Sequence, residues 1–203
     1  MTRPGHPSRE REVDAVREAF QTSPHLKRTK VVELQDASAR VDGGDCLFTG
    51  RHLFVGISTR TNEQGARCLQ QAFGASLPVI TVDMATHGAL HLKSLCSLLR
   101  PGLLCFHHSD AGLDVMAQMS DQVGSSTYKA VAVPDQLTAN AVSIYGDSKW
   151  RGLLVQKGRC TESLGIIRDA FSVAERERVI EVDTSELAKQ DGALTCCSLL
   201  CTV

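Results

Sequence analysis

Three short segments of the sequence carry side chains that together could perform covalent catalysis. Asp42 begins an Asp-Gly-Gly-Asp segment, His91 lies in a Leu-His-Leu-Lys-Ser segment, and Cys196 is the first of two adjacent cysteines. A nucleophilic cysteine acts as a thiolate, with a proton shuttle beside it and an acidic group that orients the shuttle. These segments therefore predict nucleophilic catalysis if the fold brings the thiol, the imidazole and the carboxylate together.

Each segment also has a simpler structural explanation. A single histidine before a strand is more often structural or solvated than catalytic, and a Gly-Gly pair usually forms a turn. Cys196 and Cys197 precede an apolar run, where a buried cysteine is common. Successive side chains of a strand point to opposite faces, so only one of the two cysteines could face a shared site. The catalytic interpretation therefore depends on where the segments lie in the fold.

The elements that must position these segments form a repeat. The predicted order is strand, strand, helix, strand, and the first strands begin near residues 46, 93, 141 and 196. The predicted strands are 46–48, 52–57 and 78–82; 92–99, 102–106 and 128–133; and 141–145, 152–155 and 179–182. Thr61 with Gln64 predicts a capping box for the first helix, and Ser109 is the predicted cap of the second. Such self-similarity predicts stacked or radial units, and in a radial arrangement the starts of the units converge.

The two ends of the chain are predicted to hold partial units. Residues 10–21 predict a helix and residues 30–34 a strand, which together are the back half of a unit. Residues 196–203 predict one further strand. We therefore expect a single α/β domain over 1–203, built from three full ββαβ units, the back half of another and one terminal strand.

Composition argues against several classes of function. The formal net charge is -1 without a long run of one sign, which argues against a nucleic-acid ligand or a membrane surface as a partner. No apolar stretch approaches the roughly 20 residues that a membrane span needs, and the polar N-terminus has no apolar signal core. We therefore expect a cytoplasmic protein whose eight cysteines are thiols. The oligomeric state stays open.

Collinear segments of the chain resemble the dimethylarginine dimethylaminohydrolase family. They are TRPGHPSR (2–9), SARVDGGDCLFTG (38–50), GISTRTN (56–62), LHLKS (90–94), QMSD (118–121) and DGALTCCSLL (191–200). That family is built as a fivefold pseudo-symmetric ββαβ propeller, the pentein fold. The resemblance therefore implies a pentein propeller that is incomplete at the N-terminus, in agreement with the repeat.

The resemblance also implies roles for individual residues. The catalytic set would be the nucleophile Cys196, the general acid/base His91 and the orienting carboxylate Asp42. The substrate-binding set would be Arg9 and Arg60, at the amino-acid end of the substrate, and Gln190 through its backbone carbonyl. Ser94 and Asp191 match neighbouring positions of the family.

The implied reaction is the hydrolysis of N-omega-methylated arginine to citrulline and dimethylamine, which relates the family to the nitric-oxide pathway. The Cys196 thiolate would attack the guanidinium carbon, and His91 would protonate the leaving dimethylamine. Water would then release citrulline from a covalent thiouronium. The ligand would be a small methylarginine, and no metal or organic cofactor is required. Zinc could inhibit by binding the Cys196 thiolate, since a thiolate is a good zinc ligand.

The chain departs from the family at its N-terminus. The family carries a preceding segment with an acidic stretch that contacts the substrate guanidinium, and the carboxylates left near the site are Asp42, Asp45 and Asp191. Loss of the partner of a buried charge costs about 3–5 kcal/mol, or roughly 10²–10³ in affinity, so we expect this chain to have weak or no activity. Three interpretations stay open. They are a methylarginine hydrolase or a related arginine deiminase; a catalytically weak or inactive truncated isoform, or a gene fragment, that acts as a binding or regulatory protein; and a structural α/β repeat protein.

Overall fold

Three separate three-stranded sheets contain all nine strands in the described part of the chain. The computed structural model describes residues 3–26, 29–85, 88–146, 149–157 and 160–200. The strands are β1 (Cys46–Phe48), β2 (Leu53–Ile57) and β3 (Val79–Asp83); β4 (Cys96–Arg100), β5 (Leu103–His107) and β6 (Lys129–Val133); and β7 (Ala141–Gly146), β8 (Lys149–Gln156) and β9 (Val179–Val182). In each sheet the first two strands are antiparallel and the last two are parallel.

Helices connect the parallel strands, because a parallel pair needs a crossover connection. The helices are α1 (Glu12–Thr22), α2 (Glu63–Phe73), α3 (Asp110–Val123), α4 (Gln136–Ala139), α5 (Thr161–Asp169), α6 (Val173–Arg176) and α7 (Ser185–Ala188). α2 joins β2 to β3, α3 joins β5 to β6, and α5 with α6 joins β8 to β9. The predicted ββαβ order is therefore present in all three units. None of the helices in the described ranges is long and apolar enough to cross a membrane.

The first crossover helix begins one residue later than predicted. Asn62, not Thr61, caps α2, and its side-chain oxygen accepts from the Gly65 N–H at 2.9 Å. The Thr61 hydroxyl donates to Asp45 at 2.6 Å and accepts from the Asp42 N–H at 3.0 Å. The predicted cap is therefore wrong because the Thr61 side chain is bonded to the Asp42–Asp45 segment.

The second unit begins with a turn. The predicted strand started at residue 92, but Leu92–Ser94 form a 3₁₀ turn and β4 starts at Cys96. The Leu92 N–H donates to Asp45 Oδ1 at 3.0 Å, so it is not available to a neighbouring strand. The early strand boundary is therefore wrong, and the turn instead connects the second unit to the first.

Neither predicted terminal strand is present among the described residues. Residues 30–34 form no strand, and Val31 and Val32 stay partly exposed. At the other end Thr195–Cys197 form a 3₁₀ turn, and residues 198–200 are not in a strand; residues 201–203 lie outside the described ranges. Both predictions were wrong there because an extended segment becomes a strand only when a neighbour supplies hydrogen-bond partners. Neither segment pairs with any of the nine described strands.

Neighbouring units share their hydrophobic cores. One cluster combines Phe54 of the first unit with Leu104 and Met119 of the second, and all three are buried. A second cluster combines Leu99 of the second unit with Leu153 of the third. α3 contacts β3, and α5 contacts β6, so the crossover helices of the second and third units each pack on the last strand of the preceding unit. This packing fixes the orientation of each unit relative to the next, and with it the positions of the unit starts.

The shared core predicts different outcomes for two substitutions on one helix. Met119→Ala should lower the free energy of unfolding by about 2–5 kcal/mol, because it leaves a cavity between the first and second units. Leu113→Ala is the control, since Leu113 lies on α3 but is 47% exposed. Urea denaturation should give the control a loss of about 1 kcal/mol or less. Equal losses for the two variants would contradict the packing of α3 against the first sheet.

Candidate active site

Two 3₁₀ turns bring a carboxylate and an imidazole together. Asp42 directly precedes the turn Gly43–Asp45, and His91 directly precedes the turn Leu92–Ser94. Asp42 Oδ2 lies 3.0 Å from His91 Nε2, and the two side chains are only 3% and 12% exposed. Two of the three predicted catalytic side chains are therefore hydrogen-bonded across the boundary between two units. Since Nε2 faces Asp42, Nδ1 is the imidazole nitrogen left for proton transfer.

The Asp42 carboxylate is surrounded by donors. Its Oδ1 accepts from the Gly5 N–H at 2.7 Å, and its Oδ2 also accepts from Arg9 Nη1 at 3.2 Å. Burial by itself would raise the pKa of Asp42, but the Gly5 N–H, the His91 hydrogen bond and the charges of His91 and Arg9 lower it below its ordinary value. Asp42 is therefore held as a carboxylate, the form that can orient a histidine.

A second carboxyl group lies beneath the first and joins the two turns. Asp45 is fully buried, and its Oδ2 accepts from Ser58 Oγ at 2.8 Å and from Thr61 Oγ1 at 2.6 Å. Its Oδ1 accepts from the Leu92 N–H, the residue next to His91. Burial raises the pKa of Asp45, although these hydrogen bonds act in the opposite direction. Asp45 was one of the carboxylates expected near the site, and with no exposed surface it is a structural link between the two turns.

Gly44 lies directly under the His91 ring. A Cβ atom built at Gly44 would lie 2.6 Å from His91 Cγ and 2.8 Å from Nδ1, closer than a Cβ atom can approach its neighbours. A Cβ at Gly43 would meet nothing within 4 Å. The Gly-Gly pair therefore does more than form a turn, because its second glycine provides the space that the imidazole occupies.

Cys196 lies on a third 3₁₀ turn. The turn Thr195–Cys197 contacts the turn Gly43–Asp45, and both of its cysteines are exposed. The alternation expected of a strand therefore does not apply to Cys196 and Cys197. Arg9 and Lys93 both interact electrostatically with Cys196. Burial lowers the pKa of Lys93 itself.

The predicted substrate-binding residues have different environments. The Arg9 guanidinium binds both Glu12 oxygens at 2.9 Å in addition to Asp42, so it is already paired. Arg60 is half-buried, and its guanidinium makes no ion pair with any residue that the structure describes. A Cβ at Gly5 would lie 2.2 Å from the Arg60 carbonyl oxygen, so the Arg60 backbone packs against the segment that binds Asp42. Gln190 is exposed in the turn after α7.

Known proteins with similar sequences and structures decide the family. A family model described as arginine deiminase matches residues 1–140. The human protein DDAH2, whose name gives it as an unproven hydrolase, is 36% identical over 145 residues, which are 70% of this chain and 47% of that protein. Bovine DDAH2 is 31% identical over the whole of this chain and 67% of its own length. The chain belongs to the dimethylarginine dimethylaminohydrolase family.

Similarity to a solved structure supports the same assignment. The dimethylarginine dimethylaminohydrolase of Pseudomonas aeruginosa, solved as a cysteine-to-serine variant complexed with citrulline, superimposes with a TM-score of 0.71 at 26% identity. The match covers 97% of this chain and 68% of that protein. The pentein fold implied by the sequence resemblance is thus confirmed. The chain spans about half the length of human DDAH2 and two thirds of the other two relatives.

The histidines, cysteines and acidic residues of the described ranges form no metal centre. No group of three His, Cys, Asp or Glu side chains there could hold a metal ion. The inhibitory zinc on Cys196 therefore stays a prediction. The seven described cysteines are free thiols, as predicted, and Cys201 lies outside the described residues.

Sequence reasoning missed the groups that support the catalytic candidates. Gly5, Thr61 and Gly44 all lie inside segments that carry the family resemblance. That signal could have indicated that these residues belong to the site. It could not have given their partners, because each contact joins segments that are distant in the chain.

Gly44 can be tested against its neighbour. Gly44→Ala should push the His91 ring away from Asp42, and the overpacking should also cost about 1–3 kcal/mol in stability. Gly43→Ala is the matched control, because a Cβ there meets nothing. The side-chain ¹⁵N resonances of His91 should shift in the Gly44 variant and stay in place in the Gly43 variant. Unchanged resonances in both variants would show that the ring does not rest on Gly44.

The pKa of Asp45 predicts a pH dependence of stability. Because burial raises the pKa of Asp45 in the folded protein, the carboxyl binds its proton more tightly when folded than when unfolded. The tighter proton binding by Asp45 stabilises the folded protein in full at pH values below the ordinary pKa of the carboxyl. This stabilisation decreases as pH rises through the raised pKa of the folded protein. Urea titrations from about pH 4 to pH 7 should show wild type losing stability relative to Asp45→Asn as pH rises. Parallel pH profiles for the two proteins would contradict this.

Proposed function

We propose that this chain hydrolyses N-omega-methylated arginines through a covalent intermediate on Cys196. The observation that carries the proposal is the Asp42–His91 hydrogen bond at 3.0 Å beside the turn that presents an exposed Cys196. The relative from Pseudomonas aeruginosa was solved with citrulline bound, and citrulline is the product that this reaction would yield.

The proposed reaction has two covalent steps. The Cys196 thiolate attacks the guanidinium carbon, the bond from that carbon to the dimethylated nitrogen breaks, and His91 gives its proton to the leaving dimethylamine. The neutral imidazole then takes a proton from water, and the resulting hydroxide attacks the thiouronium carbon. Cleavage of the carbon–sulfur bond, with loss of the hydroxyl proton of the tetrahedral adduct to the released dimethylamine or to solvent water, yields citrulline and the thiolate. Asp42 keeps the imidazole oriented and stabilises its charged form.

The charges of the site suit the proposed substrate. Arg60 is a half-buried residue whose guanidinium makes no ion pair among the described residues, and a guanidinium can bind a carboxylate through two parallel hydrogen bonds. We assign it to the carboxylate of the substrate, with Arg9 and the Gln190 carbonyl as further contacts. The thiol chemistry requires a reducing compartment, and we therefore place the activity in the cytoplasm. Removal of methylarginines there would connect the chain to the nitric-oxide pathway.

Selective covalent labelling tests the proposal. Treatment of the purified 203-residue chain with 2-chloroacetamidine, a guanidine-mimicking electrophile, should modify Cys196 well before any other thiol. Cys196→Ser should abolish both this labelling and citrulline release from dimethylarginine. Cys197→Ser is the matched control, because Cys197 is also exposed on the same turn, and it should retain both. Uniform labelling of several cysteines, as a structural repeat protein would show, would refute the proposal.

A second candidate function is methylarginine binding with little turnover. The pairing of Arg9 with Glu12 and Asp42 favours it, because a guanidinium that is already neutralised offers less to a substrate carboxylate. A measurement of both dimethylarginine binding and citrulline release distinguishes the two candidate functions. Calorimetric binding of dimethylarginine together with citrulline release near the blank rate would select the binding protein. Turnover that depends on Cys196 would select the hydrolase.

A further inference from the structure

We propose that Asn140 is the positioning residue that sets the separation between Cys196 and His91. This inference rests on the proposed function. Asn140 lies between α4 and β7, at the start of the third unit. Asp42, His91 and Cys196 lie at the starts of the first unit, the second unit and the segment after the third. Asn140 therefore occupies the corresponding place in the one unit that supplies no catalytic candidate.

The Asn140 amide bonds the two turns that carry the nucleophile and the imidazole. Its Nδ2 donates to the Lys93 carbonyl oxygen at 2.8 Å and to Thr195 Oγ1 at 2.8 Å. Its Oδ1 accepts from the Thr195 N–H at 3.0 Å. Thr195 directly precedes Cys196, and Lys93 follows His91 by two residues. One side chain thus joins the backbone beside the thiol to the backbone beside the imidazole.

Asn140 is itself rigidly held. The Ser97 hydroxyl donates to the Ala139 carbonyl at 2.6 Å and accepts from the Ala141 N–H at 3.1 Å, so the backbone on both sides of Asn140 is bonded to β4. The Asn140 side chain is buried, with 4% of the residue exposed. Loss of its partners would leave buried polar groups unsatisfied, which opposes alternative positions. The amide is therefore a fixed link between two units and the Cys196 turn.

The Cys196 turn has few other long-range anchors. Its remaining hydrogen bonds are local, from the Cys196 and Cys197 N–H groups to Ala193 and Leu194 and from Ser198 to Leu194. Among the residues that the structure describes, Asn140 makes every long-range hydrogen bond of the segment Thr195–Ser198. Without this amide the turn keeps its shape but loses its hydrogen-bonded position relative to His91.

An amide is the group that this position requires. Both Nδ2 hydrogens meet acceptors, the Lys93 carbonyl and the Thr195 hydroxyl, while Oδ1 meets a donor. An aspartate has no hydrogen to offer the Lys93 carbonyl and would place two oxygens against each other. An apolar side chain would satisfy none of the three groups. The arrangement of donors and acceptors is therefore specific for asparagine.

The expected effect is on catalysis more than on substrate affinity. Proton transfer and nucleophilic attack both need atoms within about 3.5 Å, and a misplacement of about 1 Å can cost roughly 10²-fold in rate. Asn140→Ala should lower kcat for dimethylarginine by about 10²-fold, with KM changed by no more than about threefold, because the substrate contacts proposed above are intact. The pH profile of Cys196 alkylation by iodoacetamide should also change, since the thiol loses its fixed relation to the imidazole.

Ser143→Ala is the matched control. Ser143 donates to the Leu99 carbonyl at 2.9 Å, another buried hydrogen bond between the second and third units, but it touches neither Thr195 nor Lys93 in the described structure. This variant should keep kcat and the alkylation profile of wild type.

Thr195→Val is a second test variant if Asn140→Ala does not fold. It removes the Thr195 hydroxyl, which accepts one of the three hydrogen bonds of the Asn140 amide. We expect it to lower kcat by about tenfold, in line with the loss of one hydrogen bond.

The outcomes separate this inference from the proposed function. If wild type shows selective Cys196 labelling and folded Asn140→Ala keeps both kcat and the alkylation profile, the positioning role is wrong and the proposed function stands. If Ser143→Ala lowers kcat as much as Asn140→Ala, the effect is one of general stability and the positioning role is again wrong. If wild type labels selectively but turns over too slowly to measure, the alkylation profiles of the three variants decide. Non-selective labelling of wild type would refute the proposed function, and this inference with it.

Discussion

The candidate site depends on the hydrogen bonds that the buried carboxyl group of Asp45 accepts. This carboxyl group accepts hydrogen bonds from Thr61 in the loop after β2 and from the Leu92 N–H at the start of the second unit. The same Thr61 hydroxyl accepts from the Asp42 N–H. Through these three bonds one carboxyl fixes the backbone at both Asp42 and His91. A carboxyl without exposed surface is tolerated because donors surround it.

The repeat explains why such links form at one place. Each unit shares its hydrophobic core with the next, and the crossover helix of one unit packs on the last strand of the unit before it. The starts of successive units are therefore brought side by side. The turn before β1, the turn before β4 and the turn Thr195–Cys197 lie together at these starts. Polar side chains between these turns, Asp45 in the first unit and Asn140 in the third, then join the turns by hydrogen bonds.

Electrostatics distinguish the two neighbouring carboxyl groups. Asp42 faces His91, Arg9 and the Gly5 N–H, and these partners outweigh burial and lower its pKa. Asp45 lies deeper, and burial outweighs its hydrogen bonds and raises its pKa. Two acids separated by two glycines therefore have different environments and partners: Asp42 is hydrogen-bonded to the imidazole, and Asp45 joins the turns. Gly44, which lies between them in the chain, leaves the space that the imidazole ring occupies.

The sequence alone determined the order of elements and the identity of the catalytic candidates. Periodicity and turn residues predicted the three ββαβ units, because those signals are local, and the resemblance to the family singled out Asp42, His91 and Cys196. Tertiary structure alone decided that Asp45 and Asn140 are the links, since their partners lie 47 and 55 residues away. It also decided that Thr61 bonds Asp45 and does not cap α2, and that Leu92 and Cys196 lie in turns. A local sequence pattern shows which hydrogen-bond donors and acceptors a residue carries. Only the folded chain determines which distant residue becomes the partner of each donor or acceptor.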